Sequence, residues 1–359
     1  MVHITFQPTK SDWTDMKRLL ALLLLTACAY DGPRVEDITP PNLEAKLLQS
    51  VDDPKIAGIT NLIVFGDSLS DPGNLSSNTF HFVLPHEIFY KGRFSNGPIW
   101  ADYVRAASGW KVDNFAVGGA QTHTAVFPER LVIKSFEEQI EASKSTLKDL
   151  NPDATLIAIW IGPNDYLRNG SEYEDHKEPN VKVLESGVKR SLSEIRKSIL
   201  NLRKLGFKKI ALGTMPELGG INRNPQDQGY TASDKTLFMA TRLHNDGIYT
   251  IISEFKKNSP DLKIYAYRAY DINKATYENP KAYAFTRLDT PCFQGSLSGE
   301  FYGPKEFCED PMGYKFWEYL HPNTRMHCFY ATQFLTDASE AGLIAGFHKD
   351  KTLETCKSL

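Results

Sequence analysis

Short apolar runs alternate with longer amphipathic segments along most of the chain. The apolar runs lie at 61–65, 114–116, 155–161, 209–213 and 263–267, and the amphipathic segments lie at 99–107, 131–150, 181–205, 233–257 and 322–341. Apolar runs of this kind are typical of parallel strands that are buried on both faces, and a 3.6-residue period is typical of helices. The alternation predicts an α/β fold, a three-layer sandwich in which helices cover both faces of a parallel sheet. Ligands bind such folds beyond the carboxyl ends of the strands.

The first apolar run ends abruptly in a small polar turn, Gly66-Asp67-Ser68. This position, at the carboxyl end of a buried strand, makes Ser68 a candidate nucleophile. The alternative is a strand followed by an ordinary polar turn, in which Asp71-Pro72-Gly73 provides the turn residues.

A serine hydroxyl needs a base, a group that orients the base, and donors for an oxyanion. Glu318 and His321 are three residues apart, which is about one helical turn, so both side chains are expected to point the same way. Glu318 would then hold the imidazole, as the acid does in a Ser-His-Asp triad. The alternative is that His321, before Pro322, is a neighbour of a helix cap.

Two turns rich in glycine and asparagine supply candidate donors. One contains Gly118-Gly119, and the other contains Gly162-Pro163-Asn164. Glycine allows a backbone N–H to approach a ligand closely, and an asparagine amide is a neutral donor. The alternative for Asn164 is a role in capping the turn alone.

Four blocks, in this order, resemble the GDSL or SGNH hydrolase family: Gly66–Ser70 with Asn74, Gly118-Gly119, Gly162–Asp165 and His321-Pro322. The segment Lys91–Trp100 is similar to the Gly-Arg-Phe-Ser-Asn-Gly segment of the lipase branch. The resemblance runs from about Leu62 to Leu335. Within the family, the chain looks most like secreted bacterial phospholipases A, lysophospholipases and glycerophospholipid:cholesterol acyltransferases.

The resemblance implies an SGNH-type sandwich and a role for each matched residue. Ser68 becomes the nucleophile and a backbone donor, the Gly119 N–H and the Asn164 side chain complete the oxyanion hole, and His321 becomes the general base. Glu318 stands where the family usually has Asp. Acid roles are filled by either residue in other hydrolases.

The expected function is a secreted serine esterase that cleaves acyl esters of phospholipids or lysophospholipids at a membrane or micelle surface. A sterol is a further acceptor in the acyltransferase branch. Two alternatives stay open: a carbohydrate O-acetyl or short-chain esterase, and an inactive surface lipoprotein that keeps the fold.

Composition excludes several other classes. The 359 residues carry a formal net charge of −3 and no long basic run, so no nucleic-acid partner is expected. The sequence has no phosphate-loop signature and no His-Glu-x-x-His motif, and it implies neither a cofactor nor a metal. The Gly-x-Ser-x-Gly elbow is also missing around Ser68, which argues against the α/β-hydrolase fold.

The first 28 residues read as a signal-peptide region. Met16 is followed by Lys17-Arg18, by the apolar stretch Leu19–Ala27 and by Cys28, so we place the true start at Met16. The residues before Cys28 resemble a bacterial lipobox, which would make Cys28 a lipidated first residue; the alternative is ordinary cleavage. We expect an exported protein with a tether at 29–58 and a hydrolase domain at 59–359.

Four cysteines follow the signal region. We pair Cys292 with Cys308, because the loop between them has little apolar content to order it, and this leaves Cys328 with Cys356. Export would permit both disulfides. Free buried thiols are the alternative.

Overall fold

The computed structural model describes residues 34–47, 51–53, 58–124, 129–168, 170–220, 232–295 and 307–359. The predicted signal-peptide region, with Cys28, lies outside the described residues. Within the segment predicted as a tether, the described part buries Val35, Leu43 and Leu47 against the domain.

Nine strands are described. In chain order they are β1 Val51–Asp53, β2 Asn61–Gly66, β3 Lys111–Asn114, β4 Thr155–Trp160, β5 Glu174–Asp175, β6 Glu178–Pro179, β7 Lys209–Gly213, β8 Lys263–Tyr267 and β9 Ala345–Phe347. Five of them form a parallel sheet in the order β3-β2-β4-β7-β8. The others form two antiparallel pairs, β1 with β9 and β5 with β6. The predicted parallel sheet is confirmed.

Helices cover both faces of this sheet. In the described residues they are α1 Val35–Ile38, α2 Asn74–Asn78, α3 Trp100–Ser108, α4 Phe136–Lys148, α5 Pro163–Leu167, α6 Val181–Lys204, α7 Asp234–Asn258, α8 Ala269–Glu278, α9 Thr324–Glu340 and α10 Lys349–Lys357. None of the described helices is both long enough and apolar enough to cross a membrane.

Strand β2 shows why its run is continuously apolar. Leu62 and Val64 belong to a core shared with α3 and α9, whereas Ile63 and Phe65 belong to a core shared with α4, α6 and α7. Successive side chains of a strand point to opposite faces, so a strand between two helical layers needs an apolar residue at every position. The three-layer α/β/α prediction is therefore confirmed.

Several predicted boundaries were wrong. The strand predicted at 114–116 instead runs over Lys111–Asn114. Phe115 N–H and Val117 N–H still donate to Val64 O and Gly66 O, so the chain continues beside β2 beyond the end of the strand, where Ala116 N–H bonds the Asn114 side chain. The helix predicted from 131 begins at Phe136, because the Ser135 hydroxyl accepts from Glu138 N–H and caps it. Helix α8 was not predicted.

Two disulfides are present, Cys292–Cys308 and Cys328–Cys356, which are the two pairs expected from the sequence. Closing a loop of the size between Cys292 and Cys308 stabilises a fold by about 3 kcal/mol in the chain-entropy model.

We expect the double variant Cys292→Ser/Cys308→Ser to lose about that free energy of unfolding in urea titrations. An unchanged unfolding midpoint in that variant would contradict the expectation.

Candidate active site

Ser68 lies in the loop that follows β2, with most of its surface buried. The Gln139 side chain holds the end of the strand, since it accepts from Gly66 N–H at 3.0 Å and donates to Gly66 O at 2.8 Å. A Cβ on Gly66 would lie 2.5 Å from Trp160 O in the neighbouring strand. Position 66 therefore requires glycine. Because Gly66 is held at the end of β2, the place of Ser68 two residues later is fixed as well.

The His321 imidazole bridges Ser68 and Glu318. Its Nε2 lies 2.6 Å from Ser68 Oγ, and its Nδ1 contacts Glu318 Oε1. The other carboxylate oxygen of Glu318 accepts from Leu320 N–H at 3.1 Å, which fixes the carboxylate relative to the ring. The structure thus brings together three residues that the sequence analysis singled out, two of them more than 240 positions from the third.

Glu318 and His321 lie in a turn closed by backbone hydrogen bonds. The helical turn predicted from their three-residue spacing was wrong. Trp317 N–H donates to His321 O at 2.9 Å, and Phe316 and Pro322 form a bridge at the base of the turn. Helix α9 begins only at Thr324, two residues after the predicted start, because the Asn323 side chain accepts from Met326 N–H.

The Gly118-Gly119 turn is held against the Ser68 loop by a buried carboxylate. Asp71 Oδ2 accepts from Gly118 N–H at 2.7 Å, and the same side chain accepts from the backbone N–H groups of residues 73–75. Burial raises the pKa of Asp71 to about 6, although these hydrogen bonds lower it. Sequence analysis treated Asp71 only as a turn residue; nothing in the local pattern pointed to a contact 47 residues away.

Both glycines of this turn are required by geometry. Gly119 has φ of +77°, which disfavours residues with a Cβ, and a Cβ on Gly118 would lie 2.2 Å from the Phe94 ring. The Phe94 ring also packs against the imidazole of His321, with 4.5 Å between ring centroids. Phe94 therefore packs against both the Gly118-Gly119 turn and the His321 imidazole.

Asn164 lies near the start of α5, buried beside the same turn. Its Nδ2 donates to Ala120 O at 3.0 Å, and its backbone O accepts from the Gln121 side chain at 3.2 Å. An amide nitrogen has two hydrogens. The Ala120 contact uses one of them, and Asn164 borders the same cleft as Ser68, Gly119 and His321.

The two aspartates that the sequence places beside these residues differ in role. Asp165 accepts from Thr122 N–H at 3.1 Å and from the Thr122 hydroxyl at 2.8 Å, so it ties the two turns together. Asp67 accepts from Leu69 N–H, while its Oδ2 is buried and has no partner in the described part of the chain. Desolvation raises the pKa of Asp67 to about 7.

This raised pKa predicts a pH-dependent stability. A carboxyl whose folded pKa lies above its unfolded value of 3.8 binds a proton more tightly in the folded state, so it lowers stability as pH rises from about 4 towards 7. Asparagine at this position has no charge to bury. We expect Asp67→Asn to raise the melting temperature more at pH 8.5 than at pH 5. An equal change at both values would contradict the assignment.

Ser68, Gly119, Asn164 and His321 line a common cleft. Most of the lining is apolar, and this apolar lining, called the apolar wall below, is formed by Leu69, Leu75, Val83, Phe94, Val132, Ile133, Leu167 and Leu218. Clefts with mostly apolar walls and a few placed polar groups are typical of small-molecule sites. The described residues contain no group of three or more histidine, cysteine or acidic side chains that could hold a metal.

The cleft also has polar lining residues that sequence analysis missed. Lys315 is fully buried; its Nζ lies 3.1 Å from the centroid of the Tyr277 ring and 3.4 Å from Asn273 O. Burial lowers the pKa of Lys315 well below its usual value. These residues come from α8 and from the turn before His321, so the fold alone brings them together.

Shortening the acid tests the geometry of the turn. We expect Glu318→Asp to lower kcat about 10- to 100-fold, because the carboxylate would retreat by one methylene from His321 Nδ1. Ester hydrolysis is measured beside Glu309→Asp, an exposed residue outside the cleft, as the matched control. Full activity in Glu318→Asp would show that the contact does not position the imidazole.

Comparison with known proteins now identifies the family. The model of GDSL-like lipases and acylhydrolases matches residues 62–334, which is most of the described domain and includes every residue of the site. The chain belongs to this family. Its members are hydrolases, and this chain is an enzyme of the GDSL type.

Three named proteins show what this chain is similar to. The chain is 25% identical to the phosphatidylcholine-sterol acyltransferase of Aeromonas hydrophila over 66% of each chain. It is 23% identical to the thermolabile hemolysin of Vibrio parahaemolyticus over 78% of this chain and 64% of that one. A GDSL esterase/lipase of Arabidopsis thaliana is 28% identical over 73% of this chain and 82% of its own. The chain therefore spans slightly less than two thirds of the first two relatives.

Among solved structures, phospholipase A1 from Streptomyces albidoflavus NA297 superposes with a TM-score of 0.40 at 12% identity. The superposition covers 78% of this chain and all of that one.

Proposed function

We propose that this GDSL enzyme hydrolyses acyl esters of phospholipids or lysophospholipids through an acyl-enzyme on Ser68. One observation carries the proposal: Ser68 Oγ lies 2.6 Å from His321 Nε2 at the floor of a cleft with an apolar wall. A nucleophile paired with a base supports acyl transfer chemistry, and the wall suits an acyl chain.

In the acylation step, Ser68 Oγ attacks the ester carbonyl while His321 Nε2 takes its proton. Glu318 holds the other ring nitrogen, so the imidazole keeps the tautomer that accepts at Nε2 and the imidazolium is stabilised. The negative charge that develops on the carbonyl oxygen is met by the N–H groups of Ser68 and Gly119 and by the Asn164 amide. His321 then gives its proton to the leaving alcohol.

In the second step, water attacks the acyl-enzyme with His321 as base, and the fatty acid leaves as Ser68 recovers its proton. A sterol hydroxyl that replaces this water would yield a sterol ester at the same site. The printed name of the Aeromonas relative, a phosphatidylcholine-sterol acyltransferase, supports including this acceptor in the proposal.

The proposal includes export. Disulfides are typical of oxidising compartments outside the cytosol, and the two bonds Cys292–Cys308 and Cys328–Cys356 support such a location. The predicted signal peptide from Met16 is consistent with export, and lipidation at Cys28 would anchor the enzyme to the envelope.

The test compares fatty-acid release by wild type and Ser68→Ala from phosphatidylcholine, lysophosphatidylcholine and a short-chain acetyl ester, with and without cholesterol. We expect Ser68-dependent release from the phospholipids, and a sterol ester if acyl transfer occurs. Activity confined to the acetyl ester would favour the carbohydrate or short-chain esterase. An absence of Ser68-dependent activity on all three would favour the inactive lipoprotein.

A further inference from the structure

Two neighbouring loops at the mouth of the cleft expose large apolar side chains. Phe80 is 92% exposed and Phe82 is 53% exposed on one loop, and Leu131 is 66% exposed on the other. We name these three residues the rim patch. Large aromatic and aliphatic residues usually lie in the core of a soluble domain. Contiguous apolar exposure at a functional cleft marks an interaction surface.

The rim patch borders the apolar wall of the cleft. Thr79 and Val83, which flank the two phenylalanines in the chain, line the cleft, as do Val132 and Ile133, which follow Leu131. A hydrogen bond of 2.9 Å from Asn78 Nδ2 to Val132 O joins the two loops. The exposed side chains and the apolar wall are thus carried by the same two segments.

The loop that carries Phe80 and Phe82 has a strained backbone. Phe80, His81 and Leu84 all have φ between +51° and +63°, a region that non-glycine residues rarely adopt. Hydrogen bonds hold them there: His81 N–H donates to Ser76 O at 2.7 Å, and the Ser76 hydroxyl contacts His81 Nδ1 at 3.0 Å. Because these hydrogen bonds fix the strained backbone, the exposure of Phe80 is a defined part of the structure.

From these observations we propose that the rim patch docks the enzyme on a phospholipid surface and aligns the cleft with it. This inference rests on the proposed function, because the occupant is argued from the substrate. An acyl chain that leaves a bilayer loses its apolar surroundings. Val83 directly follows Phe82 in the chain and Ile133 lies two residues after Leu131, so the segments that carry the rim patch also supply apolar side chains to the cleft. A surface that binds a second protein would have no need to continue into the cleft.

The test measures vesicle binding and turnover separately. In a Ser68→Ala background, which leaves the lipid intact, partitioning onto phosphatidylcholine vesicles is measured by co-sedimentation. We expect Phe80→Ser/Leu131→Ser to weaken it about 10- to 100-fold, since interfacial affinity scales with the apolar area inserted. The matched control is Leu200→Ser/Leu205→Ser, which removes two exposed leucines at the end of α6, outside the cleft lining; its partitioning should be unchanged.

With Ser68 restored, we expect Phe80→Ser/Leu131→Ser to lose vesicle hydrolysis by a similar factor and to keep p-nitrophenyl acetate hydrolysis within about twofold, because neither side chain touches the cleft. Unchanged vesicle partitioning, or an equal loss in the leucine control, would overturn the inference. So would a shift from dimer to monomer in sedimentation with unchanged vesicle binding, which would assign the rim patch to a second copy. A wild type that binds vesicles through the rim patch but releases no fatty acid would contradict the proposed substrate alone.

Discussion

Ser68→Ala should lower kcat for ester hydrolysis by about 10⁵- to 10⁶-fold, the loss expected when the nucleophile of a serine triad is removed. The hydroxyl lies 2.6 Å from His321 Nε2, and no other described hydroxyl is bonded to that nitrogen. The folded state should survive, because Ser68 is small and lies in a loop. The measurement is steady-state hydrolysis with a melting curve for each variant.

The matched control for this variant is Ser77→Ala. Ser77 is an exposed serine in α2, nine residues after Ser68 in the chain. It should retain wild-type kcat. A Ser68→Ala protein that melts normally and still hydrolyses esters at more than about one hundredth of the wild-type rate would remove Ser68 from the mechanism.

Asn164→Ala should lower kcat about 100- to 1,000-fold and leave KM nearly unchanged, because an oxyanion donor acts on charge that develops in the transition state. The amide already gives one hydrogen to Ala120 O, which fixes its direction. A residue that only capped the turn would behave differently, since its loss would lower the melting temperature and spare kcat.

Asn201→Ala, an exposed position on α6, is the control for the chemical change itself. Normal kcat in Asn164→Ala together with reduced stability would assign Asn164 to the turn. Equal losses in both variants would show that the effect does not arise at the site.

The sheet could be predicted because its signal is local. The central strands β2 and β4 lie between two helical layers, so the apolar run of each carries its own evidence of burial on both faces. Boundaries depended on single side chains. Ser135 decides where α4 begins, Asn323 decides where α9 begins, and neither cap alters the apolar pattern.

The candidate site was predictable residue by residue but not in its geometry. Ser68, Gly119 and Asn164 stood out because small polar turns follow apolar runs, whereas His321 stood out through its spacing from Glu318 and through the family resemblance. The turn that carries Glu318 is fixed by hydrogen bonds between Trp317 and His321 and by the strand-like bridge around them. Such contacts have no 3.6-residue signature, so spacing alone suggested a helix.

Long-range packing decided the rest. Three phenylalanines of the segment 80–94 lie in three different environments: Phe94 lines the cleft, Phe89 is buried against Phe293, and Phe80 is exposed. The irregular spacing of these residues in the sequence does not predict which is buried and which is exposed, because each environment depends on which distant segment packs nearby. Asp71 illustrates the same point, since its partner Gly118 lies in another loop.

Covalent labelling tests directly whether Ser68 is the nucleophile. An organophosphonate that phosphonylates activated serines is incubated with the wild type and with Ser68→Ala, and the adduct is located by peptide mass spectrometry. The assignment of Ser68 as nucleophile predicts one adduct per chain on the peptide that contains Ser68, with matching loss of esterase activity, and no adduct in Ser68→Ala. An adduct that persists in Ser68→Ala, or a wild type that stays unlabelled, would contradict it.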